Sequence, residues 1–322
     1  MDPLSSYQIK NFFQKHSPIT KEACHAKAVA LAGGGVAEPT LGQGAQSYTV
    51  RITNGTKKVI VQFRDPAYPL DADLVVAAQE TYGQLVPSCK HLEGQLDPLY
   101  VYTMNDISGV GLNTVRDILL HPENGHLLAR TIQDFAVPAS MPIWTNDSIQ
   151  LDYLSHLECL SNGLPDRFQP LLNDLRARLP SLFEGDLPMV INHWDLLENN
   201  IHVDAQTGCL TGIVDWRDAR IGPFGSQFWG LENILGIRTG GGMRFHANHI
   251  ELRRLFWDTL YKRVGDVPES TRAGIRAARM IGIFFANDDF EDDFPVKEGT
   301  RELAVLESVT LGLLDVYSID AS

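Results

Sequence analysis

Ile191-Asn192-His193-Trp194-Asp195-Leu196-Leu197-Glu198-Asn199-Asn200 is the stretch on which the reading of this chain turns. It contains His-x-Asp-x-x-x-x-Asn, framed by two β-like runs, Met189-Val190-Ile191 and Asn200-Ile201-His202-Val203. Fifteen residues past Asn200, the apolar run Leu210-Thr211-Gly212-Ile213-Val214 ends on Asp215-Trp216. Two carboxylates and an amide in this order suit phosphoryl transfer, where positioning and charge neutralisation supply most of the catalysis. Magnesium takes oxygen ligands, often one or two protein carboxylates plus phosphate oxygens. Asp215 can supply a carboxylate and Asn200 an amide oxygen. Asp195 can accept the proton of a substrate hydroxyl and aim its oxygen. His193 reads as a brace for the loop, and Trp194 and Trp216 as core residues.

Upstream, Thr40-Leu41-Gly42-Gln43-Gly44-Ala45-Gln46-Ser47 opens a hairpin of Ser47–Thr53 and Lys58–Arg64, turned at Asn54-Gly55. Gly42 and Gly44 let a backbone approach phosphates closely. Residues 7–32 read as helical until Gly33-Gly34-Gly35 breaks the pattern. Asp71 to Leu85 reads as a helix with an acidic first turn. Leu99 to Met104 reads as a strand, and Asn105 to Gly109 as a connector. Helical periods follow at 113–120, 123–136, 146–160 and 166–178, then at 246–263, 270–286 and 299–317. The three short β-like runs fall between these groups. Gly240-Gly241-Gly242 reads as a flexible loop, and His246 and His249 as neighbours on one helix face.

The chain has 322 residues, enough for two lobes, and its 44% hydrophobic and 21% charged content allows a large core. With 40 acidic against 27 basic residues, the net charge of −13 argues against a nucleic-acid partner. No apolar run of membrane-spanning length and no leader pattern is present, so no membrane association is expected. Cys24, Cys89, Cys159 and Cys209 are scattered, as in a cytoplasmic protein with reduced thiols. No Gly-x-Ser-x-Gly supports a serine hydrolase.

Taken together, Gln43 to Val50, Val61-Gln62-Phe63-Arg64, Tyr102-Thr103-Met104, His193 to Asn200 and Asp215-Trp216 resemble the aminoglycoside-phosphotransferase-like (choline-kinase-like) small-molecule kinases, especially their fungal members. The resemblance spans about residues 40–240. It implies an α+β, protein-kinase-like two-lobe fold, with a small strand-rich N-lobe and a larger, mainly helical C-lobe. On that division residues 1–104 form the nucleotide-binding lobe, 105–109 the hinge, and 110–322 the catalytic and substrate-binding lobe. The resemblance further implies ATP between the lobes, a catalytic Asp195 supported by His193, and Mg2+ on Asn200 and Asp215. Gly42, Gly44 and Ser47 would cover the phosphates, and Thr103 and Met104 would lead into the hinge at the adenine.

The sequence departs from the family at two places. Trp194 stands where Gly is common, and the phosphate-gripping Lys of the third strand is absent. Gln62 or Arg64 takes its place, on one face of the strand because side chains alternate. Arg64 is expected to pair with Glu80 on the following helix. Asp288-Asp289-Phe290-Glu291-Asp292-Asp293 carries five acids in six positions. In the resembled family, acids near the C-terminal helices attract cationic acceptors, so Asp288 and Asp289 are candidates for an amine-bearing substrate. The expected activity is phosphorylation of a small-molecule hydroxyl. The alternative is a degenerate kinase-like protein that only binds a ligand or scaffolds. A protein kinase is disfavoured, because Asp-Phe-Gly and Ala-Pro-Glu are missing.

Overall fold

The computed structural model describes residues 3–137, 147–184, 187–287 and 296–314. These residues form two compact units, Met1–Ser108 with Thr211–Arg217, and Gly109–Leu210 with Asp218–Ser322.

In the first unit the expected single N-terminal helix is two, α1 (Pro3–Lys15) and α2 (Lys21–Ala32). Pro18 falls in the break, and Thr20 caps α2 by accepting from the Ala23 amide at 3.1 Å. Strands β1 (Val36–Pro39), β2 (Ser47–Asn54) and β3 (Lys57–Arg64) are followed by α3 (Ala72–Tyr82), β4 (Cys89–Leu96) and β5 (Leu99–Asn105). They make one antiparallel sheet in the order β1-β2-β3-β5-β4. Phe12 of α1 and Cys24 and Ala28 of α2 pack against Tyr48, Val50, Val61, Phe63 and Val101 of the sheet. The hairpin at Asn54-Gly55 forms as its turn residues require, with Asn54 opposite Lys57.

Strands β1 and β4 were not anticipated. β1 is a short edge strand ending in Pro39, and β4 shifts register between Leu92 and Leu96, so neither shows clean alternation. β1 changes the setting of the glycine loop, which joins two paired strands instead of preceding a hairpin.

The second unit begins with β6 (Val110–Gly111) and helices α4 (Leu112–Leu119), α5 (Gly125–Phe135), α6 (Asp147–Gly163) and α7 (Gln169–Glu184). Strands β7 (Met189–Asn192), β8 (Ile201–Val203), β9 (Leu210–Ile213) and β10 (Arg220–Pro223) come next. A single turn of helix, α8 (Leu231–Leu235), leads to β11 (Gly236–Thr239) and β12 (Gly242–Phe245). Helices α9 (His249–Val264), α10 (Glu269–Ala286) and α11 (Arg301–Val309) close the unit. The glycine run 240–242 therefore belongs to a tight hairpin, with Thr239 opposite Gly242. His246 precedes α9 instead of lying on it, and His249 stacks on Phe245 at 4.8 Å.

The sequence division assigned all of 110–322 to one lobe. In the structure the segment Thr211–Arg217, the last three residues of β9 included, packs with the first unit. Thr211 Oγ1 donates to the Ser108 carbonyl at 2.5 Å, and Trp216 packs on Tyr82 with ring centres 5.6 Å apart. Gly212 leaves no room for a side chain, since a Cβ there would lie 2.6 Å from Ile107. Among the described residues no helix is long and apolar enough to cross a membrane.

Candidate active site

The residues singled out by the sequence fall into two clusters, one in each unit. In the first unit, the loop between β1 and β2 exposes Gly42 and Gly44 and buries Gln43. The Gln43 amide closes the loop from inside. Its Nε2 donates to the Thr40 and Thr49 carbonyls at 3.1 and 2.8 Å, and its Oε1 accepts from the Thr49 amide at 3.0 Å. The side chain thus substitutes for ladder bonds the loop cannot make. Ser47 is buried at the start of β2. Thr103 and Met104 are half-buried on β5, and Asn105 beyond them accepts from the Ser88 hydroxyl at 2.8 Å.

Arg64 ends β3 almost fully buried, at 2% exposure. Its Nε donates to the Tyr68 carbonyl at 2.6 Å and its Nη1 to Gln62 Oε1 at 2.9 Å. Gln62 and Arg64 therefore share a face, and Gln62 orients the cation. The expected pair with Glu80 does not form: Glu80 is exposed on α3 and has no ion pair among the described residues. The acid that faces Arg64 is Asp215, with Oδ1 4.0 Å from Nη1. Asp215 is also the single non-glycine residue of positive φ among the described residues, at 61°. Such a conformation costs roughly 1–3 kcal/mol and persists where the surroundings impose it, commonly at functional sites. Trp216 anchors that turn, donating from Nε1 to the Ile213 carbonyl at 2.8 Å.

In the second unit, the loop from β7 to β8 is wired by its own polar groups. Asn200 Nδ2 donates to both the carbonyl and Oδ2 of Asp195, at 2.7 and 2.8 Å. His193 is buried, and its Nδ1 accepts from the Asp195 amide at 3.1 Å, so it braces the loop from beneath. Trp194 stacks on Phe285 of α10 at 5.7 Å, and Phe285 stacks on His156 at 3.8 Å.

Residues the motif did not reveal hold this loop in place. Gln227 Oε1 accepts from the His193 amide at 3.4 Å, and the Gln227 amide donates to Asn192 Oδ1 at 3.0 Å. Trp229 Nε1 donates to the His193 carbonyl at 3.3 Å. Asn233 Nδ2 donates to the Leu196 carbonyl at 2.8 Å, and Arg238 Nε donates to Asn233 Oδ1 at 3.0 Å. Glu198 pairs with Arg116 of α4. Only the hairpin signal at Gly240-Gly241, flanked by alternating residues, points toward the Arg238 region in the sequence. Gln227 and Asn233 carry no local signal.

Asn233 sits on α8, whose neighbour Glu232 is fully buried. Glu232 accepts from Arg253 Nη1 and Nη2 at 2.5 and 2.8 Å and also from Arg279. Burial alone would raise its pKa, but the two guanidinium charges outweigh that and hold it below the usual carboxylate value.

Asn200 and Asp215 are hard oxygen donors of the kind magnesium takes. Asn200 Oδ1 accepts from Asn199 Nδ2 at 2.8 Å and retains a second lone pair. The Asp215 side chain is 45% exposed. Among the described residues no three His, Cys, Asp or Glu converge as a metal cage. Taken singly, each is an oxygen donor of the kind an ion with phosphate ligands accepts. Asp288 and Asp289 lie outside the described residues.

A glycine-loop sheet unit and a helical unit with an Asp-Asn loop define a kinase-like phosphotransferase fold. Residues 39–247, about two thirds of the chain, match the phosphotransferase enzyme family, APH, and the chain belongs to that family. Comparison with curated proteins gives no match. Among solved structures, a microcompartment-associated aminopropanol kinase is similar over 98% of both chains, with 15% identity and a TM-score of 0.52. Plasmodium vivax ethanolamine kinase is similar over 99% of this chain and 96% of its own, at 13% identity and a TM-score of 0.50. So is a variant of aminoglycoside phosphotransferase APH(4)-Ia, in ternary complex with AMP-PNP and hygromycin B. It covers 92% of this chain and 94% of its own, at 14% identity and a TM-score of 0.50. At these identities the similarity is one of fold.

Proposed function

We propose that this protein is an ATP- and magnesium-dependent phosphotransferase that phosphorylates a hydroxyl of a small molecule in the cytoplasm. The observation that carries the reading is the Asp195-Asn200 pair. Asn200 Nδ2 holds one oxygen of the Asp195 carboxylate at 2.8 Å and so fixes the acid that would meet a substrate hydroxyl. Asp195 accepts the hydroxyl proton as the oxygen attacks phosphorus, and His193 fixes the backbone that presents it. ATP would supply the phosphoryl group, and magnesium, which Asn200 and Asp215 would help to hold, would neutralise its charge. Arg64, steadied by Gln62, replaces the missing Lys as the cation for the phosphates. Thr103 and Met104 lead to the adenine, and Gly42, Gly44 and Ser47 form the phosphate cover. An amine on the acceptor is supported by the expectation for Asp288 and Asp289. Two fold relatives are an ethanolamine kinase and an aminopropanol kinase, both acting on amino alcohols by name.

The missing Lys favours a second reading, a non-catalytic member that only binds. Calorimetry of ATP binding with and without magnesium, on wild type and Asp215→Ala, separates the two. The kinase reading expects magnesium-dependent binding that weakens in Asp215→Ala. It also expects turnover of a hydroxyl panel that falls about 10²–10⁴-fold in Asp195→Asn. A folded protein that binds no ATP at millimolar concentration selects the second reading.

A further inference from the structure

We infer that Arg238 binds an anionic substituent, a carboxylate or a phosphate, carried by the hydroxyl acceptor. The inference deepens the phosphotransferase reading and rests on it. Arg238 stands on β11, opposite Met243 of β12. One end of its guanidinium is fixed by the Nε bond to Asn233 at 3.0 Å, and Asn233 is fixed in turn to the Leu196 carbonyl at 2.8 Å. Leu196 directly follows Asp195. Two hydrogen bonds therefore tie the guanidinium to the loop that presents the hydroxyl-orienting acid.

Among the described residues, Nη1 and Nη2 have no hydrogen bond and no ion pair. Yet the side chain is only partly exposed, and a partly desolvated charge without a partner is costly. Burial and then the charge of Arg301 hold its pKa below the usual arginine value, while Asp195 and Glu302 act the other way. Asp195 is thus within Coulombic reach of Arg238 but not paired with it. A planar fork, oriented at one end and unbonded at the other, takes a carboxylate or phosphate through two parallel hydrogen bonds. A chain of net charge −13 repels anions at long range, so an anionic acceptor needs such a local cation. An ammonium group in the same place would meet repulsion.

A panel with one backbone tests this: glycerol, glycerate, glycerol 3-phosphate and serinol. Each is measured by calorimetry in the presence of magnesium and a non-hydrolysable ATP analogue, and by turnover with ATP. Wild type is compared with Arg238→Ala, Arg238→Gln and Arg238→Lys. The glutamine variant keeps a donor for Asn233, and melting temperatures verify folding. Glycerate or glycerol 3-phosphate is expected to bind about tenfold or more tightly than glycerol, and the better of the two names the anion. That preference is expected to vanish in Arg238→Ala and Arg238→Gln and to return in part in Arg238→Lys. The loss would appear in KM more than in kcat. A wild type that binds neither anion more tightly than glycerol, or that prefers serinol, overturns the inference. So does a preference that survives Arg238→Gln. Arginine-dependent anion binding without any phosphoryl transfer would instead overturn the kinase reading and leave the binding role of Arg238 standing.

Discussion

Arg64 is the residue on which the proposed nucleotide side depends. It is buried, hydrogen-bonded to Gln62 and Tyr68, and 4.0 Å from Asp215. A lysine presents a compact charge, whereas this fork needs the Gln62 oxygen to aim it. Arg64→Lys is therefore expected to raise the KM for ATP by about tenfold while the protein stays folded. Gln62→Ala is expected to do the same more weakly, because the charge remains but its aim is lost. Steady-state kinetics at saturating acceptor read both. A KM unmoved in Arg64→Lys and in Arg64→Gln would remove Arg64 from the phosphate contacts. At this scale the sequence was informative about identity and silent about partners. Gln62 and Arg64 share a face by strand periodicity alone, but the acid opposite them comes from Asp215, far along the chain. The nearer Glu80 points to solvent.

Among the elements, α10 backs the segment that holds the loop of Asp195. Gly282 of α10 packs against the backbone of Ser226, where an added Cβ would lie 1.9 Å from the carbonyl oxygen. The segment Ser226–Gly230 carries Gln227 and Trp229, which bond the His193 backbone. Gly282→Ala is expected to cost about 1–3 kcal/mol, by forcing helix and segment apart. It is also expected to lower kcat, although residue 282 touches no proposed substrate. Thermal melts and turnover read the two effects. A variant of unchanged stability and full activity would show that this contact does not set the loop. Glycine in the middle of a helix gave no warning of such a contact, because close approach is a property of the partner surface. The helical periods themselves were legible where a helix buries one apolar stripe, as α4, α5, α7 and α9 do.

For the whole molecule, ionisation sets the pH range of stability. Burial lowers the pKa of His16, His25, His246 and His249 below the ordinary imidazole value, overriding nearby acids at His16, His25 and His249 and reinforced by Arg116 and Arg244 at His246. The unfolded chain therefore binds more protons than the folded one as pH falls through about 6.5, and stability drops. Glu232, held below the usual carboxylate value, adds a further loss only at lower pH, when the folded state must itself protonate. Melting temperature is thus expected to fall steadily from about pH 7 to pH 5, and more steeply below pH 4. A flat profile between pH 7 and 5 would contradict the assignment of these half-buried histidines as neutral. The sequence alone determined what depends on neighbours along the chain. That includes the His193–Asn200 spacing, the Asn54-Gly55 turn, the helical stripes, and with them the fold class and the family. Only the tertiary structure decided what depends on distant segments meeting: Arg64 facing Asp215, Gln227 and Trp229 clamping His193, and Asn233 joining Arg238 to the loop of Asp195. Periodicity and turn chemistry act over a few residues, whereas these contacts arise from packing, and packing is written in no single stretch of the chain.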